Sequence, residues 1–165
     1  MDVMRILISG LLVLLLAGCA AVATGPRFDE RVAALESRPD EAMLVVYRPD
    51  RVTGGHDLVN ISVNRRDRGV MQARGYMLLR LKPGCGEIAI QTQRRGIFSR
   101  TGLWLEPGQI EYFRLNYRES FGGWWMSTTP EDEALVELHD LRESADYDSG
   151  DPSRMQGCSY GGSLD

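Results

Sequence analysis

Between Ala42 and Met126 the hydrophobic residues fall into short runs or alternations broken by turn formers at intervals of about 8 to 12 residues, the pattern of an all-β domain. Met43-Leu44-Val45-Val46-Tyr47 is apolar on both faces and predicts a central strand, stopped at Arg48-Pro49-Asp50 because proline brings no amide donor. Val59, Ile61 and Val63 alternate with Asn60, Ser62 and Asn64, giving a half-buried strand. Asn64 through Gly69 turn the chain, and Gly69-Val70-Met71 begins its return. Met77, Leu79 and Leu81 share one face of the next strand, which Pro83-Gly84 ends; Ile88 and Ile90 share a face of the one after, which runs to Arg94-Arg95-Gly96. Leu103 and Leu105 precede the turn Pro107-Gly108, and beyond it Phe113, Leu115 and Tyr117 alternate with Tyr112, Arg114 and Asn116. Seven or eight such strands without crossover helices predict a mainly β fold, an antiparallel β-sandwich.

One helix closes this domain. Thr129 suits the N-cap, Pro130 the first helical position, and Glu131, Asp132 and Glu133 place negative charge at the positive end of the helix dipole. Leu135, Leu138 and Leu141 supply a narrow apolar stripe, and the helix is expected to end near Ser144, so the domain spans residues 42–145. Residues 146–165, rich in Asp, Ser and Gly, lack the apolar content to build a core and form an acidic tail. Upstream, residues 19–41 are mostly small, charged or Pro, and predict a tether. Within it Phe28, Val32 and Leu35 fall at i, i+4 and i+7, enough for a short amphipathic helix that either lies on a membrane or packs on the domain.

From Ile6 to Ala17 the chain is apolar apart from Ser9 and Gly10, too short to cross a bilayer as a helix, which takes about 20 residues. The run ends in Leu16-Ala17-Gly18-Cys19, which resembles the lipobox of bacterial lipoproteins. The resemblance implies a signal peptide over residues 1–18, cleaved before Cys19, and a Cys19 carrying diacylglyceryl on sulfur and acyl on its new amine. Two or three chains anchor stably where one does not. In that class Asp after the cysteine retains a protein in the inner membrane; Ala20 stands there, which points to the outer membrane, facing the periplasm.

Lipidation of Cys19 leaves Cys85 and Cys158, an even pair in an oxidising compartment, and predicts a disulfide between them. Cys85 has the strand parity of Glu87, Gln91 and Gln93 and is expected to face solvent. Charge is unevenly spread: residues 1–129 hold 17 Lys and Arg against 13 Asp and Glu, while residues 130–165 hold 2 against 10. A basic body therefore carries an acidic terminal segment.

The ordered set of the lipobox, Tyr47-Arg48-Pro49-Asp50, Val63-Asn64, Gly69-Val70, Gly75-Tyr76, Lys82-Pro83-Gly84 and Leu105-Glu106-Pro107-Gly108 resembles bacterial envelope lipoproteins grouped under a domain of unknown function. The resemblance covers about residues 42–117 and the closing helix, implies a small sandwich in the style of carbohydrate-associated surface modules, and brings no catalytic residues. The chain departs from that pattern in the Arg-rich turn Arg65-Arg66-Asp67-Arg68 and in the Cys85/Cys158 pair.

No nucleophile stands beside a base, no metal-ligand spacing occurs, and no phosphate-cradling glycine loop opens a helix, so neither catalysis nor a cofactor nor a metal is expected. The alternative is an enzyme of envelope polymers with a site near His56 or His139, each of which is followed by Asp. Two features suit binding. Arg65, Arg66 and Arg68, with Arg74, Arg94 and Arg95, place cations at strand connections, to meet an anionic polymer, lipid headgroups or the acidic tail. Trp124 and Trp125 suit a stacking platform or a partner anchor, with strand alternation sending one inward and one outward. The expected activity is that of a non-catalytic binding or assembly module of the cell envelope. Its partners are the membrane, through the anchor, and an envelope protein or anionic polymer, with no nucleic acid.

Overall fold

A computed structural model describes residues 22–35, 38–49, 57–92, 96–118, 123–145 and 147–149. Residues 1–18, where a signal peptide is expected, together with Cys19, Cys158, His56, Arg94 and Arg95, lie outside these residues. The described chain is mainly β, with two sheets and few helices, as a sandwich requires. The strands are β1 (Ala42–Tyr47), β2 (Val59–Val63), β3 (Arg66–Met71), β4 (Gly75–Leu81), β5 (Gly84–Thr92), β6 (Gly96–Leu105), β7 (Ile110–Arg118), β8 (Gly123–Thr128) and β9 (Arg142–Glu143). The first sheet runs β8-β7-β1-β4-β9 and the second β3-β2-β5-β6. Between them lies the main core, with Leu44 and Val46 of β1 facing Ile61 and Val63 of β2 and Ile88 and Ile90 of β5.

The first sheet is mixed rather than antiparallel: β1 pairs parallel with β7, Val45 opposite Tyr112, and β4 pairs parallel with the short β9. The turn Glu106-Pro107-Gly108-Gln109 sets this direction. Gly108 adopts φ +78°, Gln109 N–H donates to the Glu106 carbonyl at 3.0 Å, and Met43 N–H donates to the Gln109 carbonyl at 2.8 Å, so β7 enters beside the start of β1. Alternation reports which face a residue takes and carries no information about strand direction.

The outer face of the first sheet has its own core. Met43, Val45 and Tyr47 of β1, with Tyr76, Leu78 and Tyr112, are covered by α1 (Phe28–Arg31), the 3₁₀ turn Val32–Leu35 and α2 (Glu131–Leu138). This explains the double-sided apolarity of β1. It also corrects the expected tether, because the chain is docked from Val22 onward. Ala23 N–H donates to the Ala73 carbonyl (3.0 Å), Gly25 N–H to Glu143 (3.1 Å) and Phe28 N–H to Leu141 (3.0 Å), while the buried Phe28 ring meets Tyr76 edge-on at 5.2 Å.

Helix α2 differs from expectation at both ends. Pro130 is the N-cap, with extended φ/ψ of −55° and 147°, while Thr129 N–H is bonded to the Tyr112 carbonyl at 3.0 Å. The helix ends at Leu138, and Leu141 reaches the core from the turn that follows. Its buried face is Ala134 and Leu138, one turn apart, leaving Leu135 37% exposed. Glu137 ties the helix to the sheet, accepting from Tyr47 OH at 2.9 Å and Arg114 Nη2 at 2.6 Å.

After β9 the chain continues along β4 instead of entering the tail at residue 146. Ser144 N–H donates to the Tyr76 carbonyl (2.9 Å), Tyr147 OH accepts from Leu78 N–H (3.1 Å), and Arg80 N–H donates to the Ser149 carbonyl (2.7 Å). This strap closes the side of the sandwich between β4 and the edge strand β3.

Burial raises the hydroxyl pKa of Tyr47, Tyr76 and Tyr147 well above the ordinary value of 10, and that of Tyr112 to about 12. A folded pKa above the unfolded one contributes stability that is complete below the unfolded pKa and is lost as pH rises through the folded value. The fold is therefore expected to be indifferent to pH just below 10 and to unfold cooperatively above it. Phenolate absorbance should rise together with the loss of the near-ultraviolet dichroism. Phenolate formation by all these tyrosines in a still-folded chain would contradict the assignment.

Candidate functional site

Strand registers define two ends of the sandwich. At one, which we call the Val22 end, β1 and β7 finish, β4 and β8 begin, and Met71, Val59 and Thr92 lie side by side. At the other, the Cys85 end, lie the β2–β3 hairpin, the starts of β5 and β7, and the last residues of β6.

The β2–β3 connection is the two-residue turn Asn64-Arg65, not one that runs from Asn64 through Gly69. Asn64 (φ 51°) and Arg65 (φ 63°) are both left-handed, the geometry of a type I′ hairpin. Asparagine tolerates that region and arginine seldom adopts it, so the residue pair does not announce the turn. Asn64 clamps the tip to β5: its N–H donates to the Glu87 carbonyl and its Oδ1 accepts from Glu87 N–H, both at 2.8 Å. Arg65 and Arg66 project exposed from this rigid tip, and neither forms an ion pair with a described residue.

Arg68 is not part of that surface. Ile61 pairs with Gly69 and Ser62 with Asp67, so Arg68 is the extra residue of a β-bulge. It is 3% exposed, with Nη1 3.0 Å from the Asp148 carboxylate, and Asp148 N–H returns a 2.8 Å bond to the Arg68 carbonyl. The bulge turns the side chain into the seam beneath the strap, where it serves the fold.

Trp104 is a large aromatic residue outside the candidates that composition and turn charge suggest. Leu103 and Leu105 face the core, and Trp104 between them faces outward and is 71% exposed. It lies opposite Cys85, which is disulfide-bonded. On the same face Gly102 leaves open space, with no atom within 4 Å of an added Cβ, and Arg100 pairs with Glu87 at 3.4 Å. Two strand spacings, about 10 Å, separate β2 from β6. The basic hairpin tip and the tryptophan therefore belong to one end of one sheet.

The other nominated residues lie elsewhere. Trp124 is buried, stacked under the Arg48 guanidinium at 4.4 Å and tilted against Tyr117 at 5.0 Å. Arg48 Nη1 donates to the Asp57 carbonyl at 2.6 Å, and burial lowers the Arg48 pKa to about 10, an effect the Asp57 charge opposes, so it stays charged at neutrality. This cluster plugs the Val22 end of the core. Trp125 faces outward from β8 and is 36% exposed. Arg74 is exposed at the Val22 end. Among the described candidate arginines, Arg65 and Arg66 therefore lie at one end and Arg74 at the other, and they do not form one patch. His139 is exposed, 3.3 Å from Asp140, whose carboxylate also binds Arg27 at 2.7 Å. Among the described residues no group of three His, Cys, Asp or Glu is placed to hold a metal, and no helix is long and apolar enough to cross a membrane.

No protein-family model, curated protein or solved structure matches the chain.

Proposed function

We propose that this chain is a lipid-anchored lipoprotein of the bacterial outer membrane, facing the periplasm and acting as a non-catalytic binding or assembly module through Trp104, Arg65 and Arg66. The observation that carries the contact surface is Trp104, an indole left in water on a rigid strand. Side chains of this kind, low in conformational freedom and large in contact area, are enriched among binding hot spots and suit stacking on sugar rings or anchoring in a partner.

The anchor rests on Leu16-Ala17-Gly18-Cys19, and the disulfide at Cys85 suits an oxidising compartment. Chain geometry favours Cys158 as its partner. Cys85 lies seven residues along β5 from Thr92, about 23 Å from the level at which Val22 bridges Ala73. Three residues from Val22 back to Cys19 span at most about 11 Å, and bonded cysteines keep their Cα atoms within about 7 Å. Cys19 therefore falls short, and Cys158, nine residues beyond the docked Ser149, does not.

The test is retention on isolated envelopes. Trp104→Ala is expected to cost about 2 kcal/mol of binding, roughly thirtyfold in affinity. Arg65→Gln with Arg66→Gln should weaken binding less and flatten its dependence on salt. Wild-type retention by the Trp104→Ala protein would remove this surface from consideration.

A further inference from the structure

The tether expected over residues 19–41 would let the domain drift and tumble far from its membrane. The fold leaves only two residues, Ala20 and Ala21, between Cys19 and the first docked position, Val22, so Cys19 stands three residues back along the chain. From this short reach we infer that the acylated protein stands on its membrane by the Val22 end, with that end against the phospholipid headgroups. The inference rests on the lipid-anchor reading and adds to it an orientation and a second surface.

Three residues extend at most about 11 Å, so the acyl chains, buried in the bilayer, draw Val22 to the headgroup layer. The residues around this exit suit that layer. Val22 is 46% exposed, and beside it Arg74 and Arg142 are exposed on adjoining backbone, with Arg142 N–H bonded to the Arg74 carbonyl at 3.0 Å. Their cations fit phosphate groups, and each near an anionic surface contributes attraction of about 1 kcal/mol. Among the described residues, Asp140 pairs with Arg27 at 2.7 Å and Glu143 with Arg31 at 3.0 Å, while Arg142 Nη1 donates to the neutral Gly25 carbonyl at 3.1 Å and keeps its charge for the surface.

The consequence falls on the opposite end. Cys85 and Trp104 lie seven residues along β5 from Thr92 and the Asn64-Arg65 tip five, so they stand about 23 Å and about 17 Å beyond the Val22 level, away from the headgroups and facing the periplasm. The contact surface is thereby presented outward and the basic Val22 end inward, which accounts for arginines at both ends of one domain.

The experiment uses full-length acylated protein in vesicles of phosphatidylethanolamine and phosphatidylglycerol that contain a headgroup-labelled quencher lipid. A fluorescent amino acid is incorporated either at position 74 or at position 106, which lies exposed at the Cys85 end. Quenching several-fold greater at 74 than at 106 is expected. A flexible linker of about 20 Gly and Ser residues inserted between Ala21 and Val22, with a span of about 25 Å, should erase the difference. Equal quenching at both positions without the linker, or stronger quenching at 106, overturns the orientation. Mass spectrometry of the N-terminal peptide from the same sample separates the two readings. An acylated peptide with equal quenching refutes only the orientation, whereas an unacylated peptide refutes the anchor and the orientation together.

Discussion

Replacing Gly75 with alanine is expected to destabilise the fold by about 3 kcal/mol, the upper part of the range for forcing a methyl into a packed site. A Cβ at this position would meet the Gln72 carbonyl oxygen at 2.8 Å, Ser144 Oγ at 2.5 Å and Ala23 Cβ at 3.2 Å. The serine hydroxyl can rotate away, but the carbonyl is backbone and can move only with its strand connection. These contacts come from three separate parts of the chain: the N-terminal arm, the β3–β4 connection and the strap after β9. The predicted signature is therefore joint loosening, with faster amide exchange at Ala23, Gly25, Arg142 and Ser144 alongside a lowered unfolding midpoint. Gly102→Ala is the control. It sits on a strand with nothing within 4 Å of the added methyl, so it should be neutral or stabilise by up to about 1 kcal/mol. Equal effects from the two substitutions would refute the close approach at Gly75.

Arg68→Gln is expected to cost about 2 to 3 kcal/mol, while Arg65→Gln and Arg66→Gln each stay within about 0.5 kcal/mol. The shorter amide cannot fill the seam or reach the Asp148 carboxylate, 3.0 Å from Arg68 Nη1. Asp148→Ala should also destabilise, by leaving a guanidinium at 3% exposure with a weakened set of partners; its Nε already has none within hydrogen-bond distance. Chemical denaturation of the four single variants checks the ranking. If Arg68→Gln unfolds at the same midpoint as Arg65→Gln, the buried seam is wrong.

Much of this architecture was legible in the sequence because side-chain alternation is a direct record of burial. Val59, Ile61 and Val63 face the core as their spacing requires, and the apolar run in β1 marks a strand covered on both sides. The same record contained Trp104, since an indole between two inward leucines has only the outer face left to occupy. Two kinds of information were missing. Strand direction leaves no trace in alternation, so the parallel pairing of β1 with β7 could not be read. Charge is also a poor guide to position when one extra residue intervenes: the bulge at Arg68 reverses the face that simple counting assigns, and separates one arginine of a basic cluster from the other two. Phe28 was visible in an amphipathic spacing whose partner, membrane or domain, the spacing alone does not decide; the edge-on contact with Tyr76 decides it.

The mixed first sheet has a bearing on when the protein becomes folded. Its central strand β1 needs β7, and its edge needs β9, so the sheet is completed only after most of the chain is present. Pairings so distant in sequence form slowly, because a long loop must close before any contact rewards it. If the chain is exported as proposed, travelling as an unfolded thread to the far side of a membrane, it gains from that delay. The N-terminal arm, β1 and β4 remain without their last partners until the segment carrying β7, α2 and β9 has followed them; under the proposed lipid anchor, folding would come after export, with the arm still undocked while Cys19 is processed.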